Sequence, residues 1–240
     1  MNTNLKPLLA AVYGICLFVL LFVVFYYLDF KNLSNYSFIR EKGEHLINLK
    51  NQNFYLFVII FFIFSSIWVF FLGFGSPIAI LSGFVFGKWL GTFICILSFT
   101  IGATFLYSFA NLYLKRFIVE YLSKKIERYK IFFKKNELFY FLIFRFTGGG
   151  GIPFAIQNVL PVVFNMKLRN YIISTFLGLV PTIFIINSLG AGINNIIENN
   201  ETLSYSKIIS NPQIFLPILG FVFIVVISFF LKKKYLRNEK

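Results

Sequence analysis

The sequence predicts an all-α integral membrane protein with about five transmembrane helices plus two re-entrant helical hairpins in an inverted repeat. Three observations predict this. Of 240 residues, 58% are hydrophobic and 13% charged, against roughly 45–50% and about 25% in soluble domains. Charge-free stretches run over 8–28, 51–87, 89–114, 170–197 and 208–231, and a crossing needs about 20 apolar residues. Glycines and prolines interrupt two of the apolar regions in the same order. The only cysteines, Cys16 and Cys95, lie in apolar runs and histidine occurs once, which excludes a disulfide scaffold and a zinc domain. The 35 phenylalanines, alongside abundant Asn, Lys and Ile, fit an AT-rich coding sequence and supply apolar area.

In chain order, residues 1–53 form an N-terminal span, 8–28, and a polar amphipathic loop. The apolar run exceeds a signal-peptide core of about 7–15 residues, and Tyr26-Tyr27-Leu28 offers no small-residue cleavage site, so the span is expected to be retained. Residues 54–193 form the core, with hairpins near 73–88 and 138–166. The stretch 51–87 is too long for one span and is cut by Gly73, Gly75, Ser76 and Pro77. It divides into a span at 54–72 and a short piece at 76–87. A span at 90–114 follows.

Residues 138–166 repeat that shape. An apolar entry ends at Arg145, a break follows (Thr147, Gly148 to Gly151, Pro153), and a second apolar piece ends near Pro161 and Asn165. Such a break frees backbone N–H and C=O groups that lipid cannot satisfy. A span at 168–193 carries Gly178 and Pro181. Residues 194–240 supply an external loop, a last span at 212–231 and a basic tail. An odd number of crossings separates the two broken units, so they enter from opposite faces, the logic of inverted-repeat transporters.

Lysine and arginine set orientation. Residues 115–137 hold eight basic side chains, among them Lys124, Lys125, Arg128, Lys134 and Lys135, against three glutamates, and 232–240 hold five against Glu239. Both segments are expected to be cytoplasmic, which puts the amino terminus outside despite Lys6. Ile118, Leu122, Ile126, Tyr129 and Phe133 recur every three or four positions. That is the pattern of an amphipathic helix on an anionic leaflet, or of a basic loop that only sets topology.

The run 77–92, from Pro77 through Gly83 and Gly87 to Gly91 and Thr92, continues to Gly102-Ala103-Thr104. It resembles the first signature of the DedA or SNARE-associated Golgi (VTT-domain) family. Arg145-Phe146, Pro153-Phe154, Asn158, Tyr171, Thr175, Gly178 and Pro181 resemble the second. The resemblance covers about 73–193. It implies movement of a phosphate-headgroup lipid, since relatives are linked to phospholipid scrambling or polyprenyl phosphate recycling. Two departures stand out: glycines replace the proline that usually follows the arginine, and nothing between Lys50 and Lys115 is acidic. The second weakens any proton coupling carried by a hairpin acid.

Candidate substrate-contacting residues are Arg145, Thr147, Gly148, Gly149, Gly150, Gly151, Pro153, Asn158, Pro77, Gly83, Gly87 and Pro181. A buried arginine costs about 2.5–3.5 kcal/mol on insertion scales and must find partners. No acid lies in any expected span, which leaves hairpin carbonyls or a lipid phosphate, gripped bidentately. The glycine run reads either as an anion-binding nest or as a flexible tip. Thr147 and Asn158 suit ligand binding or freed backbone, with backbone favoured. Gly83, Gly87 and Gly91 suit close helix packing.

No metal or other cofactor is expected, and no nucleic acid partner. His45 has no second ligand nearby and no serine has a base, so an enzyme is not expected. The expected partners are anionic membrane lipids, with a homo-oligomer left open, in a bacterial inner (plasma) membrane. Two other function classes remain, a coupled ion or small-solute transporter and a membrane assembly factor.

Overall fold

The computed structural model describes residues 5–27, 36–71, 74–126, 130–199, 210–212, 214–220, 222–223 and 226. Among them the chain is helical, with no strand. Gly73, Arg128, Tyr129 and the basic tail lie outside the described residues, as do the side chains of Leu122, Lys124, Lys125, Ile126 and Lys134. Only part of the expected last span is described.

Three helical runs are long and apolar enough to cross a membrane: Phe54–Phe71, Ser76–Tyr121 and Val180–Glu198. Leu8–Val23 and Phe154–Phe164 are shorter apolar helices. Large apolar side chains point outward along these runs, including Ile59, Ile60, Phe93 and Phe105, as a lipid-facing surface requires.

Helix α1 (Leu5–Tyr27) docks through Tyr13, whose hydroxyl donates to the Phe70 carbonyl at 2.8 Å. The expected polar loop is largely a helix, α2 (Tyr36–Gln52). Its Ile39, Leu46 and Ile47 pack against Phe84, Val85 and Ile197, and Lys50 Nζ donates to the Val85 carbonyl at 2.9 Å. A segment with one apolar face gains most by covering a protein surface. Helix α3 (Phe54–Phe71) follows after Asn53.

Helix α4 (Ser76–Phe109) folds back on itself. Gly87 has φ 78 and ψ 172 in the middle of it, and Ser82 Oγ donates to the Gly91 carbonyl at 3.1 Å. Nine residues along a continuous helix are about 13.5 Å apart, so the arms 76–86 and 88–109 lie side by side. The expected short piece and the following span are therefore one helical run with a single-residue turn. That run does not stop at the basic segment. It passes through a π-helical turn (Ala110–Leu114) into α5 (Lys115–Ile126), because no glycine or proline intervenes.

The second unit is built alike. Helix α6 (Lys130–Phe146), kinked at Asn136, leads to a tight glycine turn (Gly148–Gly151), then α7 (Phe154–Val159) and a 3-10 turn (Leu160–Phe164). Asn165, at φ 54, then turns the chain as Gly87 does in the first unit. Glu137 Oε1 accepts the Lys167 backbone N–H at 3.1 Å and the Asn170 amide at 2.6 Å, so the entry and exit of 138–166 meet. The span expected at 168–193 is two helices, α8 (Leu168–Gly178) and α9 (Val180–Glu198), which join at Leu179 just ahead of Pro181.

Ring contacts give the relative directions. Trp89 meets Phe184 at 4.8 Å, and Tyr107 stacks on Tyr171 at 4.4 Å, so the second arm of α4 and α8–α9 run antiparallel. Within each unit the flanking helices are parallel: Gly102 lies against Ser66 and Phe109 against Phe70, while Glu137 joins Asn170 and Arg145 lies against Gly178. The two units point in opposite directions.

Gly87 offers a clean test of the turn. A Cβ there would meet nothing within 4 Å, so Gly87→Ala isolates backbone strain, about 1–3 kcal/mol in this region. We expect a lower melting temperature in detergent, and an unchanged one would show that the turn relaxes freely.

Candidate functional site

Arg145 sits in the last turn of α6 and is fully buried, 0% exposed. A charge held away from water must be both hydrogen-bonded and electrostatically compensated. Its Nη2 donates to Asn158 Oδ1 at 2.6 Å and to the Tyr171 hydroxyl at 3.2 Å, and Nη1 donates to Gln157 Oε1 at 3.4 Å. The guanidinium carbon lies 4.9 Å from the Phe141 ring centroid and 5.1 Å from that of Phe154. Aromatic faces attract a desolvated cation. No carboxylate pairs with it among the described residues.

These partners correct the sequence expectation. Arg145 does not tie down carbonyls freed by the glycines; Gln157 does, its Nε2 donating to the Ile152 carbonyl at 2.6 Å and to Gly148 at 3.3 Å. Asn158, expected to serve freed backbone, gives its side-chain oxygen to Arg145 instead. Thr147 does serve backbone, its hydroxyl donating to Ile143 and Phe144. Tyr171 closes the network by donating to the carbonyls of Ala103 and Asn158, each at 3.2 Å. One tyrosine thereby links the first unit to the second.

Gly148, Gly149 and Gly151 have positive φ, near 72, 72 and 82. Residues with a Cβ rarely hold that conformation, so the run is a left-handed tight turn rather than loose chain. At Gly149 a Cβ would also fall 2.1 Å from the Gln157 amide. The glycines and Gln157 form one fitted unit with Gly150 between them. Pro153, with φ −53 and ψ 138, starts α7.

The remaining candidates lie elsewhere. Pro77 and Pro181 occupy the first turns of α4 and α9, where a missing N–H costs no helical bond. Gly83 and Gly91 meet Asn187 of α9, whereas Gly87 serves as a turn rather than a packing residue. Lys135 is exposed near the mouth of the second hairpin. The apolar positions Ile118 and Phe133 pack against Phe164 and its neighbours rather than facing outward. Sequence reasoning missed Gln157, Tyr171, Phe141 and Asn187 as functional neighbours. For Tyr171 the signal was its place in the second signature; for the others it was a polar or aromatic residue inside an apolar run.

Two donors in the cluster, Arg145 Nε and Asn158 Nδ2, have no hydrogen-bond partner among the described residues. An acceptor-rich anion is the chemical complement of such a pair.

Residues 74–192 match the family model of the VTT domain. Over 138 residues, 55% of this chain, the sequence is 27% identical to transmembrane protein 41B of Mus musculus and of Homo sapiens, covering 45% of each relative. It is 26% identical to that of Gallus gallus, covering 49% of it. The chain thus spans about half the length of these relatives. No solved structure matches it.

Proposed function

The chain belongs to the VTT-domain family, and from that premise we propose that it moves a phosphate-headgroup lipid, a phospholipid or polyprenyl phosphate, between leaflets. The observation that carries this reading is the Arg145 cluster. A fully buried cation with no carboxylate partner among the described residues stands at the break of a doubled-back unit, and two donors there have no partner among those residues. A phosphate passing that point would meet charge and N–H groups that lipid tails cannot offer.

In this reading both doubled-back units, α3 with the first arm of α4 and α6 with α7, are re-entrant hairpins in a bacterial inner membrane, and the basic tail is cytoplasmic. The expected five crossings with an external amino terminus are given up, because they need α3 and the second arm of α4 antiparallel and α2 on the face opposite Ile197, whereas the two helices run parallel and α2 packs against Ile197. The opposed directions of the units support it. So does the absence of acids between Lys50 and Lys115, which favours passive movement over proton or sodium coupling.

The decisive experiment reconstitutes the purified chain in liposomes carrying fluorescent phospholipid and reads how fast inner-leaflet label becomes accessible to external dithionite. Faster loss than in empty liposomes is expected. Equal loss with phospholipid and polyprenyl phosphate probes alike would remove the proposal. Topology is a separate expectation: reporters fused after Lys130 and Lys240 should read cytoplasmic, and one after Asn200 external. An external signal at Lys130 would overturn this orientation.

A further inference from the structure

The mouth of the second hairpin holds an open cleft of about 720 Å³ that is separate from the Arg145 cluster. On one side stand Lys135 and Glu137, on the other Lys167 and Asn170. Its apolar wall includes Phe133 and Phe164, whose rings stack at 4.0 Å. Glu137 is already engaged, accepting from the Lys167 backbone and the Asn170 amide. The lysine side chains, both exposed, are the cleft's cations.

The position of the cleft fixes its depth. Phe139 and Leu168, two residues beyond Glu137 and one beyond Lys167, are apolar and exposed. Exposed charged and exposed apolar side chains alternate there, since Arg169, also exposed, follows Leu168, and such a mixture places the mouth at the boundary between water and hydrocarbon. A cleft there, cationic at its rim and apolar in its wall, fits a molecule that is anionic at one end and greasy at the other.

We infer that this cleft binds the phosphate of an anionic lipid from the leaflet facing the basic segment, with the upper part of its tails against Phe133 and Phe164. The inference deepens the proposed function and rests on it for the class of ligand. It assigns the first headgroup contact to the hairpin mouth. Lipid would meet Lys135 and Lys167 before any opening toward Arg145.

The test measures binding without transport. The full chain in detergent is titrated with dihexanoyl phosphatidic acid, dihexanoyl phosphatidylcholine or inorganic phosphate, and read by native mass spectrometry. Phosphatidic acid should bind best, and the pair Lys135→Glu and Lys167→Glu should weaken it about tenfold or more. The pair Lys124→Glu and Lys125→Glu, with the same change in charge, should weaken it less than about twofold. Should charge reversal prevent folding, Lys135→Gln with Lys167→Gln carries the test, with a loss of about threefold or more expected.

Unchanged affinity in the cleft variants, or equal loss in both pairs, overturns the site. Inorganic phosphate binding as tightly as phosphatidic acid overturns the lipid assignment in favour of a free-anion site. A chain that binds phosphatidic acid through these lysines yet flips no lipid keeps the site and loses the transport reading. Flipping without cleft binding does the reverse.

Discussion

Arg145→Lys should melt lower than Arg145→Gln, although lysine is the conservative exchange. The guanidinium reaches Asn158, Tyr171 and Gln157 at once and lies over the rings of Phe141 and Phe154. Glutamine removes the charge, and with it the desolvation cost, but leaves Asn158 Oδ1 without its donor. The net loss is about 2–3 kcal/mol. Lysine keeps a fully buried charge but gathers its three N–H donors on one nitrogen, which cannot match acceptors placed for the spread of the guanidinium fork. Leaving a buried charge under-compensated costs about 3–5 kcal/mol. Both variants should flip lipid at about a tenth of the wild-type rate or less, a loss of at least 1.4 kcal/mol in the barrier. Melting temperature and flipping are to be read on the same preparations. A lysine variant as stable as wild type would show that the cluster does not depend on the fork. Flipping unaltered in the glutamine variant would remove Arg145 from the transport path.

How far the sequence could be read depends on whether a feature is local. Breaks announce themselves, since Gly148 to Gly151 with Pro153, and Gly75 with Pro77, cannot continue a helix. The burial demand at Arg145 follows from a lone charge in an apolar run. Partners are not local. Gln157 and Asn158 are adjacent, yet which one serves the backbone and which the guanidinium is set by how α7 faces α6. Gly87 and Gly83 look alike in a stripe spaced by four, but one supplies a positive φ and the other a close approach. The continuation of α4 into the basic segment was hidden for another reason: loss of apolarity marks the end of a membrane span and not the end of a helix. At Leu179 the reverse holds, because Pro181 ends α8 and starts α9 within an unbroken apolar run.

The crossing of α4 and α9 should tolerate not even one methyl group. A Cβ at Gly190 would lie 1.9 Å from the Ile80 carbonyl oxygen, and one at Gly83 would lie 2.0 Å from that of Asn187. Both obstacles are backbone, so no side chain can rotate away and the helices must separate. Separation also pulls Asn187 from Gly91, where it is fully buried. Gly83→Ala and Gly190→Ala should each cost about 2–3 kcal/mol, the upper part of the overpacking range. The two sites share one gap, so once one methyl has opened it the second costs less. The double variant should therefore fall short of the sum by about 1 kcal/mol or more. Gly14→Ala provides the control: a Cβ there meets nothing within 4 Å, and in a helix alanine is favoured over glycine by about 1 kcal/mol. Apparent melting temperatures of the four variants in one detergent decide the matter. Additive losses at Gly83 and Gly190 would mean that each methyl finds its own local relief, and that the two helices do not move apart as a pair.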